Sequence, residues 1–160
     1  MTTKVIYPGT FDPITIGHLD IIKRALNIFG HVIVGISMSK DKTPMFSLEE
    51  RIKMMKLATQ ELEGVEIKTF DTLLVDFAAK ENTNIIIRGL RAVSDFEYEL
   101  QLGFANRSLS PNIDTVSLMP SLEQAFISSS IVRSVIRHKG DISHLVPEEV
   151  NNFIKENKCI

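Results

Sequence analysis

Short apolar runs alternate with stretches of helical periodicity along this chain. The runs at 4–7, 31–37 and 84–88 are largely continuous in apolar residues and rich in β-branched side chains. Such runs predict strands that are covered on both faces of a sheet. The runs at 65–70 and 114–119 alternate apolar and polar side chains instead. They predict two further strands, the first of them near a sheet edge.

Helical spacing of apolar residues fills most of the chain between these strands. Residues that suit a helix start precede the helical stretches, namely Thr15, the capping boxes at 47–50 and 94–97, Ser128 and Pro147. A shorter helix is predicted at 73–80, and Gly30 is expected to end the first helix. A helix is therefore predicted between each strand and the next strand along the chain.

This alternation predicts an α/β fold, a Rossmann-like, doubly wound, five-stranded parallel sheet with helices on both faces. We expect residues 1–160 to form a single domain. In such folds ligands bind at the carboxyl ends of the strands, near the point where strand order reverses. The segments after the predicted strands hold most of the unusual polar residues, which are Thr10, His18, Lys42, Arg91 and the serines at 128–130. The chemistry is therefore expected along one rim of the sheet.

The composition is that of an ordinary globular protein, with 44% apolar and 24% charged residues. A formal charge of −2 gives no general attraction to nucleic acid or to an anionic membrane. The single cysteine, Cys159, can form no intrachain disulfide, and no metal-ligand spacing surrounds it. The N-terminus lacks the pattern of a signal peptide, and no apolar run approaches membrane-spanning length. These features predict a cytoplasmic protein with neither nucleic acid nor a membrane as partner.

The first strand is followed by a loop rich in Gly and Pro and by a helix start that carries His18. A helix N-terminus offers unpaired N–H groups and a positive dipole end, so it suits an anion. Gly9 and Gly17 are expected to leave room for a phosphate. A lone histidine is more often a capping or packing residue, but the Thr-x-Gly-His spacing after a first strand favours a site. Asp12 is expected to stabilise the turn before Pro13.

The other three histidines are left out of the predicted site. His31 is expected only to begin a strand, and His138 and His144 are expected to face solvent.

Basic residues follow two of the other strands. Lys42 sits in a loop where it could reach an anion above the first strand. Arg88 ends a buried strand, which is costly unless its guanidinium meets a phosphate or a carboxylate. Arg88 and Arg91 flank a glycine, and a phosphate cradle is one interpretation. The other is pairing with the acidic residues of the next helix, which are Asp95, Glu97 and Glu99.

The serines at 128–130 fit either redundant helix caps or, with Arg133, a polyphosphate site. The chain has no Gly-x-x-x-x-Gly-Lys motif, and no Gly-x-Gly-x-x-Gly follows the first strand. This disfavours a P-loop hydrolase and a standard dinucleotide oxidoreductase. The position of the lone cysteine and the lack of a nucleophile elbow disfavour covalent catalysis.

Two motifs together resemble the signature pair of the HIGH-type nucleotidyltransferase superfamily. They are Thr-Ile-Gly-His at 15–18 and Ile-Ser-Ser-Ser-Ile-Val-Arg at 127–133. The segments at 7–13 and 87–99 are similar to those of bacterial phosphopantetheine adenylyltransferases. The resemblance covers essentially the whole chain in length and motif order. It implies transfer of AMP from ATP to 4′-phosphopantetheine, giving dephospho-coenzyme A and pyrophosphate, by direct in-line attack without a covalent intermediate.

The resemblance implies roles only at matching positions. The implied catalytic residues are His18, Lys42 and Arg91. The implied substrate-binding residues are Thr10, Lys42, Leu74 and Arg88. The implied ATP-binding residues are Thr10, Phe11, His18, Gly89, Leu90, Arg91, Glu99, Gln124, Ala125, Phe126, Ile127, Ser128, Ser129 and Ser130. Many family members carry an aromatic residue where this chain has Gln124, so adenine stacking is not implied there.

The resemblance also implies Mg²⁺ bound with ATP, no metal ligand from the protein, a homohexamer, and coenzyme A as an inhibitor. The hydrophobic residues Phe104, Leu109 and Met119 are candidates for the subunit contacts. Two alternatives stay open from the residues. One is a nucleotidyltransferase of the same fold that acts on nicotinamide mononucleotide or a polyol phosphate, and the other is a nucleotide-binding module without catalysis.

Overall fold

The computed structural model describes residues 2–38 and 43–158, which form five β-strands and six α-helices. In chain order these are β1 (Thr3–Gly9), α1 (Ile16–Phe29), β2 (Gly30–Ser37), α2 (Leu48–Thr59), β3 (Val65–Phe70), α3 (Leu74–Lys80), β4 (Ile85–Gly89), α4 (Val93–Leu109), β5 (Asp114–Leu118), α5 (Ser129–Arg137) and α6 (Glu148–Lys158). A short 3₁₀ turn at Leu122–Gln124 precedes α5. Lys42 and Cys159 lie outside the described residues.

The strands form one sheet in the order β3-β2-β1-β4-β5, and every neighbouring pair is parallel. The chain builds outward from β1 to β3, then crosses back and adds β4 and β5 on the other side. The strand order therefore reverses between β1 and β4, which creates a crevice at their carboxyl ends. The predicted Rossmann-like fold is confirmed, and β3 is an edge strand as its alternating pattern predicts.

Each face of the sheet has its own apolar core, because successive side chains of a strand point to opposite faces. In β1, Val5 and Tyr7 belong to the larger cluster, which also holds buried residues of α1, α2, α5 and α6. Ile6 between them belongs to the smaller cluster with Val75 and Phe77 of α3. Burial of each large apolar side chain contributes about 1.5–3 kcal/mol. Helices therefore cover both faces, and the central strands are held from both sides.

Three predicted helix starts are confirmed, and at each of them the side chain of the N-cap residue makes a hydrogen bond. Thr15, Ser47 and Ser128 each accept a hydrogen bond from a backbone N–H in the first turn of the following helix. Gly30 ends α1 in the left-handed conformation, with φ of 82°. None of the helices in the described part of the chain is long and apolar enough to cross a membrane.

One predicted helix start is wrong in position. The capping box at 94–97 does not form, because α4 begins at Val93 with Ala92 as the N-cap. The carboxylate of Asp95 instead accepts from the backbone N–H of Arg91, at 3.3 Å. Helix α6 begins directly after Pro147, as predicted, and the Pro147 carbonyl accepts the N–H of Asn151. Strand β1 is also longer than predicted, since Pro8 and Gly9 continue its pairing with β2.

Candidate active site

A cavity of about 400 Å³ lies at the carboxyl ends of the strands, over the point where their order reverses. Its wall includes the last residue of each of the first four strands: Gly9, Ser37, Phe70 and Gly89. In open α/β sheets this crevice is the usual ligand site. The cavity is therefore the candidate active site.

The structure brings many of the predicted site residues together around this cavity. Those that line it are Thr10, Phe11, His18, Leu74, Arg88, Gly89, Arg91, Glu99 and Ile127. Those that lie outside its wall are Leu90, Gln124, Ala125, Phe126, Ser128, Ser129 and Ser130. The predicted role of Lys42 stays a prediction, because that residue is outside the described part of the chain.

His18 is fixed by the cap of its own helix. The Thr15 hydroxyl accepts the backbone N–H of His18 at 3.2 Å, and the Thr15 N–H donates to His18 Nδ1 at 3.1 Å. This is a capping box in which an imidazole takes the place usually held by Glu or Gln. A ring nitrogen that accepts from an amide carries no proton, so the proton of the neutral ring sits on Nε2.

The surroundings keep His18 neutral. Burial lowers the pKa of His18 to about 3, and the positive charge of Arg91 lowers it further in the same direction. The ring also makes an edge contact with Phe11, with centroids 5.1 Å apart, and Phe11 makes another with Tyr7 at 5.4 Å. His18 is therefore a rigid Nε2–H donor at the cavity and does not exchange protons near neutral pH.

Phe11 holds this aromatic group in place at the cost of an unusual backbone conformation. Its φ is 49°, in the left-handed region, and its side chain is 3% exposed. A Cβ on Gly9 would lie only 2.9 Å from the Phe11 ring. Gly9 therefore makes room for Phe11, which is a different reason from the phosphate contact predicted for it. A Cβ on Gly17 would make ordinary contacts with the carbonyl oxygens of Gln124 and Ile127.

Arg88 pairs with Glu99 through two parallel hydrogen bonds. Its Nε and Nη2 atoms lie 2.6 and 2.7 Å from the two carboxylate oxygens, and Nη1 donates to the carbonyl of Pro8 at 3.2 Å. Burial alone would lower the pKa of Arg88, but the pair with Glu99 outweighs it and raises the pKa. Nη1 and Nη2 each carry a second N–H, so a guanidinium held in this way can still bind an anion.

Arg91 connects the cavity to the segment that precedes α5. Its Nη1 donates to the carbonyl of Ile127 at 3.1 Å, and its Nε lies 3.5 Å from the carboxylate of Asp95. Both arginines therefore have carboxylate partners, as one of the two sequence interpretations predicted. Because both also line the cavity, pairing does not remove them from the anion site.

The predicted serines are engaged in different ways. The Ser128 hydroxyl accepts the Ile131 N–H as the N-cap of α5. The Ser129 hydroxyl donates to the carbonyl of Pro13 at 2.8 Å, and the Ser130 hydroxyl accepts from Arg133 at 3.1 Å. The capping interpretation holds for Ser128, whereas Ser129 ties the segment to the loop that precedes α1.

Helix α1 anchors the same segment two residues beyond His18, through Asp20. The Asp20 carboxylate accepts the Ser121 N–H at 2.8 Å, and Arg24 donates to both Asp20 and the Ser121 hydroxyl. Burial would raise the pKa of Asp20, but these hydrogen bonds outweigh it and lower the pKa. The chain that leads to the serines is thus attached to the helix that carries His18.

Asp12 has a different role from the one predicted. Its two carboxylate oxygens accept the backbone N–H groups of Met45 and Phe46, each at 2.9 Å, from a segment more than thirty residues away. Arg133 donates to the Asp12 carbonyl at 2.7 Å. Asp12 is 5% exposed, and its hydrogen bond with the Phe46 N–H is buried. It connects two loops at the rim of the sheet, where a turn-stabilising role was expected.

The three histidines left out of the site lie away from the cavity. His31 belongs to β2, where its Nε2 lies 2.6 Å from the Glu66 carboxylate of β3. His138 and His144 are exposed, as predicted.

Sequence reasoning missed several residues of the cavity wall, among them Ser37, Phe70, Tyr98 and Pro120. Ser37 and Phe70 end their strands, so the carboxyl-end rule could have included them. Tyr98 is adjacent to Glu99 on α4, and no spacing pattern singles it out. Burial strongly raises the pKa of Tyr7, which also lines the cavity, so its phenol stays protonated.

Within residues 2–38 and 43–158, no group of three or more His, Cys, Asp or Glu side chains is placed to hold a metal ion. The phosphates of a nucleotide can themselves carry Mg²⁺, which keeps most of its other ligands as water.

Comparison with known proteins fits this geometry. A family model described as cytidylyltransferase-like matches residues 6–135. A phosphopantetheine adenylyltransferase of Campylobacter hominis is 60% identical over 159 residues, covering 99% of this chain and 100% of the relative. Proteins of the same name from Nautilia profundicola and Helicobacter hepaticus are 61% and 60% identical, covering 94% and 96% of this chain and 97% and 93% of their own lengths. The chain therefore belongs to the cytidylyltransferase-like family and, within it, to the phosphopantetheine adenylyltransferases.

Proposed function

We propose that this chain transfers the adenylyl group of ATP to 4′-phosphopantetheine, forming dephospho-coenzyme A and pyrophosphate in coenzyme A biosynthesis. The observation that carries the proposal is the neutral His18, held by Thr15 as an Nε2–H donor beside Arg88 and Arg91 in the switch-point cavity. The choice of substrates follows from the names of the relatives and from their sequence identity of about 60%.

The reaction needs little acid–base chemistry from the protein. The attacking group is a phosphate monoester, which is already an anionic nucleophile near neutral pH. The phosphate oxygen forms a bond to the α-phosphorus of ATP while the bond from that phosphorus to the bridging oxygen of pyrophosphate breaks. The protein must bring two anions into line and disperse the charge that develops on the α-phosphoryl oxygens.

Each residue of the site has one part in this proposal. His18 donates from Nε2 to the α-phosphoryl group, and Arg91 supplies positive charge next to it. Arg88, oriented by Glu99, binds the acceptor phosphate together with Lys42, and Thr10 places that phosphate for attack. Phe11 keeps the His18 ring in position. Leu74 lines the path of the pantetheine arm.

The nucleotide is proposed to lie between Gly89, Leu90 and the segment at 124–130. The serines at 128–130 would meet the β- and γ-phosphates at the start of α5, where the helix dipole favours anions. Mg²⁺ would arrive on the triphosphate and neutralise part of its charge.

An acceptor panel tests this function. Pyrophosphate release from ATP is measured with 4′-phosphopantetheine, with nicotinamide mononucleotide and with a polyol phosphate. We expect kcat/KM to be highest with 4′-phosphopantetheine. Preference for either of the others would replace our assignment by a nucleotidyltransferase of the same fold. ATP binding without turnover on any acceptor would indicate a non-catalytic module.

We also propose that the chain works in the cytoplasm as a homohexamer. Support for self-association comes from large apolar side chains on and near α4 that are well exposed in the single chain, which are Phe104 at 66%, Leu109 at 59% and Met119 at 72%. Large apolar side chains with this much exposed surface are candidates for a protein interface. Sedimentation of the wild type and of Phe104→Glu tests this, and we expect the variant to shift to smaller species.

A further inference from the structure

A buried arginine lies beneath the cavity and has no part in the chemistry described so far. Arg51 belongs to α2, is 3% exposed, and is absent from the cavity wall. Its Nε is buried and has no hydrogen-bond partner among the described residues. A charged group in this position is costly, and an apolar side chain of similar size would avoid the cost. A buried guanidinium here suggests a role that an apolar side chain could not fill.

The contacts of Arg51 point to that role. Its Nη1 donates to the carbonyl of Thr10 at 2.8 Å and to the carbonyl of Ser37 at 3.0 Å. Thr10 follows β1 and Ser37 ends β2, and both residues line the cavity. A single nitrogen therefore joins the carboxyl ends of two neighbouring strands from below the site.

A second buried contact completes the frame. Asp12 accepts the N–H groups of Met45 and Phe46, which close the connection that Ser37 opens. The carboxylate of Asp12 also acts electrostatically on Arg51, partly offsetting the lowering of the pKa of Arg51 by burial. The connection between β2 and α2 is thus tied at its start by Arg51 and at its end by Asp12, and both ties lead to the loop at 10–13.

The nucleotide side of the cavity depends on other contacts. Ser121 is held by Asp20, and the Ile127 carbonyl is held by Arg91. Arg51 makes neither of these contacts, and both carbonyls that it holds belong to the side of the cavity formed by the first two strands.

We propose that Arg51 is a positioning residue for the acceptor phosphate: it fixes the Thr10 backbone and the end of β2 relative to each other. The proposal rests on the proposed function, because it assigns the Thr10 side of the cavity to 4′-phosphopantetheine. Loss of these ties displaces the acceptor subsite, and small displacements of reacting groups have large kinetic costs.

The test separates acceptor binding from nucleotide binding. In Arg51→Met, which keeps the volume but removes all donors, we expect KM for 4′-phosphopantetheine to rise roughly 10-fold or more, with KM for ATP within about 2-fold. Arg51→Lys keeps a charge and a donor, so it should restore part of the acceptor KM. Lys56→Met on the exposed side of the same helix is the matched control, and both KM values should stay at wild-type levels.

Each outcome decides the matter. If the wild type gives no pyrophosphate with 4′-phosphopantetheine, the proposed function fails first. If the wild type is active and both arginine variants keep the wild-type acceptor KM, or change both KM values equally, the positioning role is wrong. A thermal shift with ATP alone reports whether each variant is folded. Failure of both Arg51→Met and Arg51→Lys to fold would make Arg51 a residue of the fold alone and would also overturn the proposal.

Discussion

The loop at 7–18 and the segment at 124–130 were both predicted to bind phosphate, yet the structure treats them differently. In the first, Thr10, Phe11 and His18 all line the cavity, and the His18 ring is fixed by its own helix cap. In the second, only Ile127 reaches the cavity wall, and the serine hydroxyls are engaged within the protein. The first region therefore holds its reactive side chain in place before any ligand binds. In the second region, the Ser129 hydroxyl already donates its hydrogen bond within the protein.

Removal of the His18 ring is expected to have the largest effect among the tests that compare these two regions. In His18→Ala the Nε2–H donor is removed, and kcat should fall by roughly 10²–10³, or about 2.7–4 kcal/mol. Affinity for ATP, measured by calorimetry, should stay within a few-fold, because the donor acts on charge that develops during the reaction. His144→Ala, at an exposed position, is the control. Unchanged turnover in His18→Ala would refute the role of the first region.

A smaller effect is expected from the cap that orients the ring. Thr15→Val keeps the shape but removes the hydroxyl that accepts the His18 N–H. We expect the free energy of unfolding to fall by about 1 kcal/mol. The lost hydroxyl also lies 3.1 Å from His18 Nδ1, so kcat should fall as well, by at most about 10-fold, because the Thr15 N–H still holds the ring.

The matched control for Thr15→Val is Ser47→Ala, which removes the equivalent cap of α2. Its unfolding free energy, measured by denaturant titration, should fall by a similar amount with kcat unchanged. Equal kcat losses in the two variants would mean that capping acts on the rate only through stability.

The serines provide the next test, because only some of their hydroxyls can still donate a hydrogen bond to a ligand. The Ser130 hydroxyl accepts from Arg133 and can donate to a phosphate oxygen, whereas the Ser129 hydroxyl already donates to the Pro13 carbonyl. Ser130→Ala should raise KM for ATP roughly 5-fold, and Ser129→Ala by less than about 2-fold. Steady-state kinetics at saturating acceptor measure both. The reverse order would show that the segment rearranges when the nucleotide binds.

The smallest expected effect is on the pH dependence of the rate. His18 has a pKa of about 3 in the folded protein, so it stays neutral and adds no step to log kcat between about pH 5 and 9. His18→Asn should therefore lower the whole profile without changing its shape. A step near pH 6.5 that vanishes in this variant would show that His18 carries protons.

The same pKa affects stability in acid. The unfolded chain takes up a proton on His18 near its ordinary pKa of 6.5, while the folded site stays neutral until about pH 3. The unfolded state therefore binds more protons in this window, and stability is lost as the pH falls through it.

Local patterns predicted most of the fold. The strands, the caps at Thr15 and Ser47 and the rim of the sheet follow from periodicity and from residues a few positions apart. The start of α4 was predicted at the wrong residue, since the helix begins at Val93 with Ala92 as an N-cap that makes no side-chain hydrogen bond. The capping-box spacing at 94–97 therefore did not locate this helix start.

The buried frame of the site could not be predicted in the same way. Asp12 bonds to residues 33 and 34 positions along the chain, and Arg51 bonds to Thr10 at a separation of 41. These partners meet only because β1 and β2 are neighbours in the sheet. Arg88 shows the same limit, since the sequence allowed either a phosphate or a carboxylate as partner. The structure gives it Glu99 while leaving it at the cavity.

The capping box of α1, in which the His18 imidazole takes the place of Glu or Gln, has a consequence for inhibitor design. Because Nδ1 accepts from the Thr15 amide, the ring presents a hydrogen-bond donor, and burial keeps it from becoming a cation. Compounds that place a sulfonyl, phosphonate or carbonyl oxygen against this ring should be favoured. Amines and amidines at the same position would meet a donor facing a donor, with Arg91 close by, and should be disfavoured.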